Sequence, residues 1–443
     1  MAGPESKCVL VLGAAGLIGS FIASDLKRRG YRVGAAARGF TPAQRLQFGA
    51  NAREISVVGL PAAGLADLFR DCGADVIVNC LGVLQDGSGD RTHEVHDGFV
   101  NKLVVALRSV GRPVLLVHVS IPGSEADDRT DFSRSKRNAD RLIVASGLPY
   151  AILRPGFVFS PAAYGGSALF RALATTPFAL PAAEAGRPFA YVAVEDIAET
   201  VVVLAQRWDA ENPAHAAVWD VMQPAKQSVG DVAGTLRRWL GVEGGTIRMP
   251  QFLLDIAAKV GDLAAFFGWS PPIRTTALTE LRRGVEGDPS AWLAATGIAP
   301  RLLADVLAAH PATVQEKWFA RLYLLKAFIL ACLVVFWCAS ALIVLAAAYP
   351  AAVAILTGHG FSAGQAHVAT IVGSVMDFLI GITIAFKRTS RFGLMAGIAM
   401  SLFYMISATI LTPDLWVEPL GALVKTFPAI VLMLVALAIS DDR

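Results

Sequence analysis

Residues 8–19 read CVLVLGAAGLIG, and this stretch decides the fold. CVLVL is a short, unbroken apolar run of the kind a parallel sheet buries on both faces. GAAGLIG follows at once, and a helical pattern then runs from Leu17 to about Arg29 and stops at Gly30. Strand, glycine turn and helix in that order give each glycine a physical task. Gly13 turns tightly, Gly16 lets backbone approach a pyrophosphate, and Gly19 lets helix and strand pack closely. Ala15, Leu17 and Ile18 complete the turn, whose helix N-terminus receives the phosphates.

Working outward, strand signals recur at 31–37, 55–58, 75–80, 114–119 and 150–153, separated by segments of helical character. Such alternation predicts an α/β doubly wound parallel sheet. The second strand ends in Arg38, where dinucleotide folds selective for NAD place an acid. A guanidinium there can hold a 2′-phosphate bidentately, so NADP(H) is expected over NAD(H).

GAAGLIG, the turn VNCLG (Asn79, Leu81, Gly82), LLVHVS ending at Ser120, FSRSK ending at Lys136 and ILRPGFVFSP (Arg154, Pro155) stand in one order along the chain. Together they resemble the short-chain dehydrogenase/reductases, and more narrowly the atypical and extended branch that includes relatives of a complex I accessory subunit. The resemblance implies a Rossmann fold over residues 1–310, with a cofactor part at 7–155 and a substrate-side part at 156–310. It also implies that Gly13, Ala15, Gly16, Leu17, Ile18, Gly19, Arg38, Asn79, Leu81, Gly82, Lys136 and Pro155 contact the nucleotide.

The same resemblance implies a catalytic Ser, Tyr and Lys set. The tyrosine hydroxyl serves as acid or base, the lysine holds the nicotinamide ribose and lowers the tyrosine pKa, and the serine polarises a substrate carbonyl. Ser120 and Lys136 match, but the tyrosine position is Phe132. A phenyl ring cannot donate a proton, and general acid-base help contributes about 10²–10⁴ in rate.

Three readings stay open. The domain binds NADP(H) without catalysis, as a sensor or assembly module; it passes hydride to an acceptor needing little proton help, such as a quinone or flavin; or another group, among Tyr164, Tyr191, Asp127, Asp128 and Asp131, supplies the proton. A membrane-anchored NADP(H)-binding oxidoreductase with a small apolar or quinone-like acceptor is the leading expectation. A lipid or sterol-type isomerase or dehydrogenase is a further one.

Beyond Pro155 the loop is expected to line a substrate pocket; its residues Phe157, Phe159, Tyr164 and Phe170 are apolar and aromatic, which points away from nucleotide sugars and toward an apolar ligand, although core packing is the commoner role of such residues. Glu195 and Asp196 read as caps of the next helix. His93 and His96, in a loop with Asp90, Arg91, Glu94 and Asp97, read as solvated histidines, and no metal set is indicated. The stretch 250–269 is amphipathic, suited to packing on the first domain or to lying on a membrane surface.

Composition sets the second half apart. Of 443 residues 54% are hydrophobic and only 17% charged, and most charges precede Arg321. Residues 327–349 form an uncharged run long enough to span about 30 Å of hydrocarbon. Further candidates at 367–386, 392–411 and 420–440, the last interrupted by Lys425 and Pro428, predict an all-α membrane domain of about four transmembrane helices at 327–443, after a linker at 311–326. The pattern VGSVMDFLIGI and the number of spans resemble the DoxX-like membrane domains. Asp377, near the middle of the second span, is an intramembrane candidate site or a hydrogen-bonded structural acid.

Lys317, Arg321 and Lys326 precede the first span, Lys387, Arg388 and Arg391 separate the second and third, and Arg443 ends the chain, whereas 350–365 carries no Lys or Arg. Both termini are therefore expected in the cytoplasm of an inner-membrane protein, consistent with an N-terminus that does not read as a signal peptide. The net charge of +3, without a basic run interleaved with aromatics, gives no reason to expect nucleic acid. Five cysteines without C-x-x-C spacing read as buried, reduced thiols.

Overall fold

The computed structural model describes residues 7–84, 92–417 and 421–440. Asp90, Arg91, Leu420 and Arg443 lie outside them. The chain folds as two compact units, one of residues 1–262 and 272–320, the other of 263–271 and 321–443.

The first unit is built on a seven-stranded parallel sheet. Along the chain run β1 (Cys8–Leu12), α1 (Leu17–Arg28), β2 (Arg32–Ala37), α2 (Pro42–Phe48), β3 (Ala52–Glu54), α3 (Ala62–Cys72), β4 (Val76–Asn79), α4 (Phe99–Arg108), β5 (Leu115–Val119), α5 (Asp131–Val144) and β6 (Tyr150–Pro155). Strand Ala216–Val221 completes the sheet beside β6, and the spatial order runs from it through β6, β5, β4, β1 and β2 to β3. The order reverses between β1 and β4, the switch point at which such sheets open a crevice at their strand C-termini.

β1 is buried throughout because it supplies both layers. Val9 and Val11 pack with Ile22, Ala23 and Leu26 of α1 and with Val201 of the helix Val194–Arg207. Leu10 and Leu12 face Leu65 and Phe69 of α3, Phe99 and Leu103 of α4 and Ile143 of α5. Each such side chain contributes about 1.5–3 kcal/mol when fully buried.

Four local expectations are corrected. The strand expected at 55–58 is β3, three residues earlier; ISVV instead turns inward, with Val57 buried in the layer beneath α3, while the sheet edge is made by the polar sequence ARE. Edge strands tolerate polar residues because only one side is paired. Glu195 and Asp196 lie in the first turn of Val194–Arg207 but cap nothing. Asp196 is fully buried and accepts a hydrogen bond from the Arg301 amide at 3.0 Å, its carboxylate also paired with the Arg301 guanidinium. His96 is buried and not a solvated loop residue. Residues 314–326, read as linker, belong to the continuous helix Val314–Ala346, since the stretch contains no Gly or Pro.

The second unit is all-helical. Val314–Ala346, Ala363–Ala385 and Ser390–Leu411 are long and apolar enough to cross a membrane, and two shorter apolar helices, Tyr349–Gly358 and Ala422–Ala438, accompany them. Ala422–Ala438 holds Pro428 within its 17 residues and rises about 26 Å, short of a full hydrocarbon core. Small residues bring these helices together: a Cβ on Gly381 would strike Cys338 Sγ, and one on Gly397 would lie 2.7 Å from the Met433 sulfur. Cys332 is exposed on the first long helix, unlike the expected buried thiol, and all five cysteines are free.

In the first unit, Trp292 is fully buried and its indole N–H donates to Thr200 Oγ1 at 2.9 Å, fastening helix Ser290–Thr296 to helix Val194–Arg207. Trp292→Ala should destabilise this unit by about 3–5 kcal/mol. A thermal melt of the solubilised variant with every transition unmoved from the native chain would refute that assignment.

Candidate functional site

The glycine loop comes first because its shape is set by backbone alone. Gly13 has φ +83°, and its amide and that of Ala14 both donate to Ala36 O at 2.9 and 3.0 Å, tying the turn to β2. A Cβ on Gly19 would overlap the Gly13 carbonyl, so only glycine allows α1 to approach this closely. Gly16 precedes α1 with extended backbone, and the first turn contains no acidic side chain to compete for an anion. Ala15, Leu17 and Ile18 are partly exposed there. Arg38 is exposed just past β2.

Asn79 ends β4, buried. Its Oδ1 accepts from the Leu81 amide at 3.2 Å and its Nδ2 donates to His118 Nδ1 at 3.0 Å. The turn at Leu81 and Gly82 leads to Lys136. That amine is buried, donating to Leu81 O at 3.1 Å and Val119 O at 2.9 Å, and a Cβ on Gly82 would come within 3.3 Å of it. Burial lowers the Lys136 pKa to about 8, against the opposing charge of Asp140. Cys80, beside it, is pushed up to about 12 by burial and is no nucleophile.

Phe132 stands four residues before Lys136, and its ring meets the His96 ring edge-on, centroids 5.6 Å apart. The Val83 amide donates to His96 Nε2 at 3.2 Å, which leaves the proton on Nδ1 to be donated to Ser135 Oγ at 2.8 Å. Burial, helped by the Lys136 charge, takes the His96 pKa down to about 2, so the ring stays neutral. His118 is likewise held well below its ordinary value by burial. Sequence patterning missed both histidines as parts of this cluster, because their burial comes from distant chain.

Ser120 is buried at the end of β5. Pro155 closes β6, and Arg154 beside it donates to Asp140 at 2.9 and 3.1 Å. Asp128 is shared by Arg137 at 3.0 Å and Arg283 at 2.7 Å. Of the other proton-donor candidates, Tyr191 is buried with its oxygen accepting from the Leu303 amide, Asp131 pairs with Arg134, and Asp127 and Tyr164 are exposed. The structure brings none of these five beside Phe132 by any described contact.

The loop beyond Pro155 differs from expectation. Phe157, Phe159 and Phe170 pack with Phe189 and Tyr191 in a core cluster, ring centroids 4.7–6.0 Å apart, and do not form an open apolar lining. Core packing, the commoner role of such residues, is the one the structure gives them. Among the described residues no group of three His, Cys, Asp or Glu side chains is arranged to hold a metal. In the helical unit, Tyr404 donates to Asp377 Oδ1 at 2.9 Å, joining helices Ala363–Ala385 and Ser390–Leu411.

Comparison with known proteins agrees with both halves. Residues 9–218 match the NAD dependent epimerase/dehydratase family, and residues 334–434 match the DoxX-like family. The fold resembles a UDP-glucuronic acid 4-epimerase from Bacillus cereus, crystallised with UDP-glucuronic acid and NAD, at 16% identity and TM-score 0.51 over 72% of this chain and 100% of that one. It is also similar to MoeE5, solved with UDP-glucose and NAD, at 20% identity and TM-score 0.51 over 71% and 99%. A nucleoside-diphosphate-sugar epimerase from Staphylococcus aureus gives 16% and 0.51 over 68% and 99%. No curated protein matches the chain.

The Lys136 assignment carries a pH signature. Its pKa is about 8 in the fold against an ordinary 10.5, so between those values the unfolded chain holds the extra proton and stability rises with pH. Relative to Lys136→Met, the native chain should gain up to about 3 kcal/mol across that window, read from urea midpoints. A difference independent of pH would contradict a buried, depressed amine.

Proposed function

Because this chain joins a domain of the NAD-dependent epimerase/dehydratase family to a DoxX-like domain, we propose that it is a membrane-anchored NADP(H)-dependent oxidoreductase that delivers hydride to an apolar, quinone-like acceptor. The observation that carries this reading is Phe132, set in an otherwise complete frame of Ser120 and Lys136.

The residues fit a dinucleotide. Gly13 at φ +83° and Gly19, whose Cβ would overlap the Gly13 carbonyl, bring the start of α1 directly against the turn. The first-turn amides of α1 would hold the pyrophosphate, Arg38 the 2′-phosphate and Asn79 the turn beside the nicotinamide ribose. When bound, the nicotinamide supplies a hydride. Lys136 exchanges its two carbonyl partners for ribose hydroxyls and orients that end of the site, and Ser120 donates a hydrogen bond to the acceptor oxygen.

Phe132 selects among acceptors. Reducing an ordinary ketone creates an alkoxide, which needs a proton as it forms. Reducing a quinone creates a phenolate-like oxygen, whose conjugate acid has a pKa of about 10 by analogy with tyrosine. That oxygen can wait for water to complete the balance of one hydride and one proton. The UDP-sugars held by the structural relatives would require a base at position 132 to take a hydroxyl proton, so Phe132 argues against that class here.

The membrane domain supports the same acceptor class, because apolar acceptors concentrate in the bilayer beside a tethered domain. Lys317, Arg321, Lys326, Lys387, Arg388 and Arg391 fit an orientation with the first unit in the cytoplasm.

Two experiments test the reading. Arg38→Asp should weaken NADPH binding by at least about tenfold while leaving NADH nearly unchanged, and equal losses would remove Arg38 from the 2′-phosphate. The detergent-solubilised chain should oxidise NADPH with short-chain quinones, with no large gain from Phe132→Tyr. Tight NADPH binding with no oxidation by any acceptor would favour the sensing or assembly role instead.

A further inference from the structure

Helix Gln251–Phe266 has two apolar faces, and among the described residues only one is covered by protein. Leu254, Ala258 and Gly261 are buried against Met249, Ile273, Leu278 and Leu281, so closely that a Cβ on Gly261 would collide with the Ile273 carbonyl. The acids on the side of the helix are engaged: Asp255 accepts from Arg282 at 2.8 Å, and Asp262 from Arg274 at 3.2 Å and from Thr275. The remaining arc is Phe252, Leu253, Ile256, Val260, Leu263 and Phe266. All are exposed, Leu263 at 61% and Phe266 at 80%.

Positions 252, 256, 260, 263 and 266 advance by four, four, three and three residues, which keeps them on one stripe of an α-helix. Lys259 is exposed at the margin of that stripe. Six large apolar side chains in a continuous exposed row are not ordinary scatter on a water-facing surface.

What covers them is indicated by where the helix ends. Within the helical unit, the Trp269 indole donates to Ala385 O at 2.7 Å, the Lys387 amide donates to Phe267 O at 3.0 Å, and the Phe267 and Phe386 rings lie 5.2 Å apart. Ala385 is the last residue of the second long apolar helix, and Lys387, Arg388 and Arg391 follow it. The segment continuing the exposed stripe is thereby pinned to the turn at which a membrane-spanning helix gives way to basic residues. That is the level of the lipid headgroups, where tryptophan and lysine concentrate.

We infer that helix Gln251–Phe266 is an interfacial helix, its stripe from Phe252 to Phe266 lying in the headgroup and acyl boundary of the bilayer and Lys259 reaching to the headgroups. This gives the first unit a lipid contact of its own in addition to the covalent tether. It stands whether or not the chain turns over NADPH.

A photoreactive benzoylphenylalanine placed at 252, 256, 260 or 263 of the full chain, irradiated in phospholipid vesicles, tests it without altering the native cysteines. Phospholipid adducts should form at these positions at yields several-fold above those at exposed Lys226, and comparable with Phe403 on the third long helix. Adducts with a second copy of the chain would overturn the assignment in favour of a protein interface. Lipid adducts at Phe403 with none on the stripe would overturn it in favour of a water-facing helix.

Discussion

The Lys136 amine is the contact on which the rest of the site depends. It is removed from water, and among the described residues it is hydrogen-bonded to two neutral backbone oxygens, Leu81 O from the turn after β4 and Val119 O at the end of β5, with the Asp140 charge acting in its favour. A buried cation is costly unless well solvated by protein, which is why its pKa falls to about 8. In return it binds together three elements that converge at the crevice: two adjacent strand ends and α5. Gly82 has no side chain because the amine occupies that space. A ligand with hydroxyls at this point would replace weak partners with better ones.

The ionisable groups around that amine are held neutral or engaged in ion pairs. His96 and His118 are kept neutral by burial and by Lys136 itself. The nearby acids are committed to arginines: Asp140 to Arg154, and Asp128 to Arg137 and Arg283. Arg283 comes from a helix more than 150 residues away along the chain, so this neutralisation is a property of the folded unit. The ring that meets Phe132 is His96, neutral and hydrogen-bonded at both nitrogens, which suits it to holding shape.

Legibility in the sequence followed the range of the interactions. CVLVLGAAGLIG was readable because its strand, turn and helix are local and the Gly13 to Gly19 contact spans six residues. Lys136 and Phe132 were readable because they share one helix face. The edge strand was misplaced because ISVV looks like a strand by composition, and only the packing of Val57 under α3 distinguishes the two. His96 and Asp196 were misread, and the Phe157 cluster left between pocket and core, for one reason: their burial is supplied by Ser135, by Arg301 and by Phe189, none adjacent in the chain. The long apolar helices were plain, whereas the shortness of Ala422–Ala438 required its termini.

In the proposed reaction, hydride leaves the nucleotide without a proton from residue 132. Isotope effects on NADPH oxidation by a quinone test it most directly. Deuterium at the transferring position of the nicotinamide should slow the reaction, and replacing the solvent with D₂O should not slow the same step. A solvent effect as large as the nucleotide effect would mean that a proton moves together with the hydride, and would contradict the role assigned to Phe132.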